Sequence, residues 1–223
     1  SYFHISDELS LEQLESYQAA RALVKDCLQD FPIIDALSNY DFYERGIVEE
    51  PICSNDHIGP FLENPPQKLW TYYCTAQWKD VSNRFIVQPG YRTRVLGVQM
   101  YKYQIAGFLQ WGYNFYNSQY SLYPVNPYLI TDADGAFPSG DAFLVYPGED
   151  GVPEESVRLM LMEEAMNDLR AMRYLERLDG RESALECLGE SGNGELTFDR
   201  YPRNLTYLMQ VRERVNKKLK ELI

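Results

Sequence analysis

Apolar residues recur along this chain at two periods, and the alternation between them sets out its elements. Tyr2-Phe3-His4-Ile5-Ser6 reads as a short buried strand that ends on two adjacent acids, Asp7 and Glu8. Ser10 with Gln13 forms a capping-box signature. Leu11, Leu14, Tyr17, Leu23, Val24 and Leu28 then follow at approximately helical spacing, which predicts a helix over residues 10–29. Phe31-Pro32-Ile33-Ile34-Asp35-Ala36-Leu37 is a nearly continuous apolar run, the pattern of a strand buried on both faces of a parallel sheet. Strand, helix, strand is the opening unit.

The order repeats less regularly. Strands are predicted over Ile47–Cys53, Leu69–Cys74 and Ala106–Trp111, with a helix over Tyr91–Tyr103. About five strands in the first half, each followed by a polar or aromatic loop, fit an open doubly wound sheet or part of a (β/α)8 barrel.

Beyond Trp111 the pattern changes. Residues 112–140 are rich in Tyr, Asn, Pro and Gly, the composition of a long loop that either covers a site or is poorly ordered. Ala142–Pro147 reads as a β segment. Pro153–Leu178 has helical periodicity with Val157, Leu161, Ala165, Leu169 and Met172 on one face, and Met160, Met162, Met166 and Met172 read as packing residues. A Gly-rich break over Gly189–Gly194 precedes a final amphipathic helix over Pro202–Ile223.

The chain has 223 residues and 45% hydrophobic content, enough for a real core. No apolar run approaches the roughly 20 residues that span a bilayer. The absence of an initiator Met and the start inside a strand predict that the natural chain is longer. Lys and Arg total 21 against 33 Asp and Glu, a net charge of −12 that repels phosphate backbones and anionic lipid. Neither nucleic acid nor a membrane is therefore an expected partner. Arg212, Arg214, Lys217, Lys218 and Lys220 form a basic cluster, which reads as a solvated helix face.

Cys27, Cys53, Cys74 and Cys187 show no metal-binding spacing, and only His4 and His57 are available beside them, so no metal site and no cofactor is expected. Apolar neighbours suggest reduced, largely buried thiols, which fits a cytoplasmic protein without excluding export. Asp132-Ala133-Asp134-Gly135 lacks the downstream Glu of a calcium loop and reads as a polar turn. Glycine-rich nucleotide loops and the serine-hydrolase elbow are missing from the sequence.

Two features point to chemistry. In parallel α/β folds ligands gather at the C-terminal ends of strands, which makes Asp7 and Glu8 a candidate catalytic pair; acids ahead of a helix that merely complement its dipole are the alternative. The chain also has 18 Tyr and 3 Trp, concentrated at predicted strand ends: Tyr40 and Tyr43, Tyr72 and Tyr73, then Trp111, Tyr113 and Tyr116. Flat apolar rings with polar tips suit the C–H face and hydroxyls of a sugar, although core packing explains many tyrosines equally well. An acidic, aromatic-lined cleft indicates carbohydrate chemistry.

The ordered set His4-Ile5-Ser6-Asp7-Glu8, Ile34–Ser38, Trp70–Tyr73, Asn83-Arg84-Phe85, Gly107–Asn114, Gly140–Pro147 and Ser156-Val157-Arg158 resembles glycoside hydrolase family 123 and the related domain of unknown function 4091 over about residues 2–180. The chain departs from the family pattern at Leu9, where Pro is common, and at Ala142, where Gly is common. The resemblance implies a (β/α)8 barrel whose fourth strand ends in the Asp-Glu pair. This chain would then supply about strands four to eight over residues 1–180, with residues 181–223 a C-terminal helical extension packed on them.

The resemblance further implies hydrolysis of a terminal β-linked N-acetylhexosamine, N-acetylgalactosamine above all, by a retaining, substrate-assisted mechanism. Glu8 would be the general acid and then base. Asp7 would orient the substrate's acetamido group, whose oxygen attacks the anomeric carbon. Tyr40, Tyr73, Trp111 and Asn114 would contact the sugar, and Asp141 would accept a hydroxyl. A non-catalytic carbohydrate-binding relative and a structural half-barrel are the alternatives. If strands four to eight stand alone, their open edge calls for the missing N-terminal half or for self-association, with little activity from this piece by itself.

Overall fold

A computed structural model of the chain describes residues 2–7, 9–29, 31–189 and 195–223. The protein is an α/β structure in two compact units. The first runs to Tyr73 and takes in Gln104–Leu109; the second comprises Cys74–Tyr103 and Gln110–Ile223.

The first unit is built on a four-stranded sheet in the order β1 (Ile34–Leu37), β2 (Glu50–Ser54), β3 (Trp70–Tyr73) and β4 (Gly107–Gln110). β1 and β3 both lie parallel to β2, with Ala36 beside Ile52 and Cys53 beside Thr71. A 3-10 turn at Leu11–Gln13 leads into α1 (Leu14–Cys27), and the short helices α2 (Asp41–Glu44) and α3 (Gly59–Glu63) connect the strands. Gln13 caps as its spacing predicts: its side chain accepts the Ser10 N–H at 3.2 Å. Leu37, Phe42, Ile52, Phe61 and Ile105 form a core closed to solvent. β4 approaches β3 closely, since a Cβ on Gly107 would lie 2.4 Å from the Trp70 ring.

The structure shifts several boundaries. The predicted strand over Tyr2–Ser6 reduces to one parallel bridge, Phe3 with Ile33, because the next N–H groups turn to a side chain described below. The strand predicted from Ile47 begins at Glu50. The Ile47 and Val48 N–H groups instead close on the Phe42 carbonyl at 2.9 and 3.1 Å, burying both residues in a turn.

In the second unit, α4 (Tyr91–Lys102), α5 (Val157–Glu186) and α6 (Leu205–Leu222) accompany a hairpin of β5 (Val145–Pro147) and β6 (Pro153–Glu155). The helix predicted from Pro153 therefore starts later, where the Ser156 side chain accepts the Leu159 N–H at 3.3 Å. Its apolar face is Leu161, Ala165, Leu169 and Met172; Val157 and Met160 are exposed. The helix continues through Glu186 with a non-helical Gly180 at φ 84°. Of the predicted break, Gly189 is described and residues 190–194 lie outside the described residues.

Two further readings change. The basic cluster of α6 is not simply solvated: Arg212 reaches the buried Asp168 at 2.7 Å, and Arg214 donates to the Cys187 carbonyl at 2.7 Å. Residues 112–140 make their own backbone bonds, Ser118 to Tyr123, Val125 to Tyr116 and Gly140 to Thr131. Cys53 and Cys187 are buried thiols, whereas Cys27 is exposed and Cys74 half-buried, so burial covers only half of the expected set. Among the described residues no helix is long and apolar enough to cross a membrane.

Candidate active site

Each unit holds part of the predicted set. In the first, Phe3 is anchored to the sheet by its N–H on the Pro32 carbonyl at 3.0 Å and by the Ile34 N–H on its own carbonyl at 2.9 Å. Four residues on, Asp7 is exposed in a bend; Glu8 lies outside the described residues. Between them, the Ile5 and Ser6 N–H groups donate to Asp35 Oδ1 at 2.8 and 3.0 Å, and the Tyr17 hydroxyl donates to Oδ2 at 2.6 Å. Asp35 is fully buried in β1 and also faces His4 Nε2 at 3.6 Å. Burial, followed by the bond to Asp35, raises the Tyr17 pKa well above the usual tyrosine range, so Tyr17 remains a neutral donor.

Tyr40 precedes α2 and packs edge-on against Phe61 at 5.0 Å and Tyr43 at 5.7 Å, leaving it half-buried. Tyr73 is different. Its ring is closed to solvent and packs on Phe108 at 4.7 Å, so the expected sugar-facing surface is occupied by core packing.

The ends of β1 and β2 also carry a polar cluster that sequence spacing did not reveal. Ser38 and Ser54 hydroxyls meet at 2.9 Å, and His57 Nδ1 lies 3.2 Å from Ser54 Oγ and 2.9 Å from Asp56 Oδ1. Serine and acid share one ring nitrogen here, whereas a nucleophilic relay needs them on opposite nitrogens. The cluster is a hydrogen-bonding surface rather than a triad.

In the second unit, three sequence motifs converge on Arg84. Its guanidinium donates to Asp141 Oδ1 at 3.0 Å, to the Asp141 carbonyl at 2.6 Å, to the Trp111 carbonyl at 3.0 Å and to Asn83 Oδ1 at 3.2 Å. Arg84 and Asp141 are both fully buried. Burial raises the Asp141 pKa, and the Arg84 charge is the strongest influence pulling it back. Asp141 thus lies beneath the surface as the partner of Arg84, not in the open position a hydroxyl acceptor needs.

Gly112 turns the chain with φ +61°, and a Cβ there would lie 2.5 Å from the Asp141 carbonyl oxygen, so only glycine fits. Trp111 is half-exposed against Phe115 at 5.9 Å and Phe137 at 5.4 Å, and Asn114 is exposed beside its bridge to Phe143. These two remain accessible. Among the described residues no group of three or more His, Cys, Asp or Glu is placed to hold a metal ion.

A sequence model of the catalytic domain of glycoside hydrolase 123 matches residues 1–175. The chain belongs to glycoside hydrolase family 123. A search of curated proteins found no match. A solved family 123 glycoside hydrolase from Clostridium perfringens, the subject of a structural study of glycolipid glycan hydrolysis, aligns with a TM-score of 0.58 and 18% identity. The alignment covers 99% of this chain and 40% of that one, so the family 123 chain described here spans less than half the length of this structural relative. At that identity the likeness concerns the fold.

Proposed function

We propose that this chain is the acid-bearing part of a retaining exo-hexosaminidase that removes a terminal β-linked N-acetylgalactosamine with the help of the substrate's own acetamido group. The observation that carries the reading is Asp7, at the end of a segment anchored to the sheet and followed in sequence by Glu8, in a member of a glycoside hydrolase family. Glu8 protonates the glycosidic oxygen and then activates water. Asp7 orients the acetamido group and offsets positive charge as the carbonyl oxygen closes on the anomeric carbon. The protein supplies no covalent nucleophile, in departure from the usual two-carboxylate scheme.

Trp111 and Asn114 are the accessible residues assigned to glycan contact, with Tyr40 as a half-buried ring on the first unit. Tyr73 and Asp141 act from behind the surface. The four-stranded sheet is read as strands five to eight of a (β/α)8 barrel, with the Phe3 bridge as the remnant of strand four and residues 181–223 as a helical extension. The study of glycolipid glycans in the C. perfringens relative supports a glycan end as substrate.

The test is made in the full-length protein. Glu8→Gln should lose activity on a natural glycan while keeping more of it on an activated aryl glycoside, whose leaving group needs less protonation. Asp7→Asn should fail on both. Replacing the acetamido group by hydroxyl should remove most of the wild-type rate. Wild-type rates in both variants would remove the pair from the mechanism.

A further inference from the structure

We propose that Asp35 is the positioning residue of the Asp7-Glu8 pair; this rests on the reading of that pair as catalytic. Asp35 is the one charged residue in the apolar stretch Phe31–Leu37, and it is fully buried. A buried carboxyl is costly unless its oxygens are hydrogen-bonded, and an apolar residue in β1 would avoid that cost altogether. What Asp35 does with its oxygens shows what the cost supports.

The main-chain ladder to β1 stops at Phe3. In a continued strand, adjacent N–H groups point to opposite sides. Here the adjacent Ile5 and Ser6 N–H groups converge on one atom, Asp35 Oδ1, at 2.8 and 3.0 Å, so the carboxylate takes over from the sheet and turns the backbone at this point. Its other oxygen holds the Tyr17 hydroxyl at 2.6 Å on α1, the helix that follows the acids. One side chain therefore fixes the chain on both sides of Asp7-Glu8: the entry through Ile5 and Ser6, the exit through Tyr17. None of these bonds reaches substrate. Asp35 acts only through the backbone that carries the acids.

The experiment compares Asp35→Ala, Asp35→Asn and Tyr17→Phe in the full-length protein on two β-N-acetylgalactosaminides, one with a para-nitrophenyl and one with an alkyl leaving group. Displacing a reacting group by about an ångström costs about 100-fold, so Asp35→Ala should lose about that much kcat on the alkyl glycoside, with KM little changed. The loss on the para-nitrophenyl substrate should be about tenfold smaller, because acid assistance matters less there. Asp35→Asn keeps an oxygen for the two N–H groups and should recover most of the rate. Tyr17→Phe should show the same leaving-group dependence in milder form and covers the case in which Asp35→Ala does not fold.

Equal losses on both substrates that track a fall in melting temperature would make Asp35 a structural anchor and overturn the proposal. Wild-type kcat in Asp35→Ala and Tyr17→Phe would overturn it as well. Both results leave the catalytic reading standing so long as Asp7→Asn and Glu8→Gln are impaired. Full activity in those two variants ends the catalytic reading and this inference with it.

Discussion

At the scale of single residues, buried charge organises both units. Arg84 and Asp141 are each closed to solvent, and removing one member of such a pair takes its ion-pair partner from the other. Arg84→Met should therefore destabilise the full-length protein by about 3–5 kcal/mol. Urea unfolding measures this, and a double-mutant cycle with Asp141→Asn should return strong coupling between the two positions; additive effects would sink the pairing. Some of this was legible. Asp35 interrupts an apolar strand and so announces a buried charge with a task, but its partners come from Ile5, Ser6 and Tyr17, which no spacing rule connects to it. Tyr73 and Trp111 could not be ranked either. Both are aromatic and near strand ends, and only packing shows that Phe108 closes over one while the other keeps an open side.

At the scale of elements, α4 and α5 meet through a glycine. A Cβ on Gly97 would lie 1.9 Å from the Ala165 carbonyl oxygen, a backbone atom that cannot turn aside. Gly97→Ala should force the helices apart and cost about 1–3 kcal/mol despite alanine's better helix propensity, seen as a lower melting temperature; an unchanged or higher one would refute the close approach. The long helices α1, α4, α5 and α6 were the legible elements, since a stripe of apolar positions survives errors at either end; the one-turn helices α2 and α3 carry no such stripe and went unpredicted. The short strands were less so. β6 was absorbed into the predicted α5, because Pro153-Glu154-Glu155 has no alternation and pairs only through its hairpin partner. The first strand shrank to a bridge because a side chain took its hydrogen bonds, which hydrophobic patterning does not record.

At the scale of the whole molecule, the pattern announced an α/β chain with parallel strands, but not its division into two units, which depends on contacts distant in sequence. Acidity and aromatic content come together in the response to alkali. Burial raises the pKa values of Tyr17, Tyr101 and Tyr201 above the ordinary tyrosine value of 10.0, and that of Cys53 above the ordinary thiol value of 9.0. A group that holds its proton more tightly when folded stabilises the fold fully below its unfolded pKa and loses that contribution as pH rises toward its folded value. Stability should accordingly decline from about pH 9 upward. Absorbance titration should show a late class of phenols that ionises only as the circular dichroism signal collapses. Titration of every phenol as one class with the fold intact would contradict it.

The first unit is discontinuous: after β3 the chain departs for residues 74–103 and returns only at Gln104 to lay down β4. A ribosome delivers the chain from its N-terminus, so β3, already beside β2, must wait for that whole excursion before β4 exists. Until then Trp70 lacks the close backbone of Gly107, and Tyr73 lacks the Phe108 ring. The nascent chain thus carries an unpaired aromatic strand edge, the kind of surface that recruits chaperones or other chains. The sheet that the Phe3 segment joins is begun three strands before it can be closed.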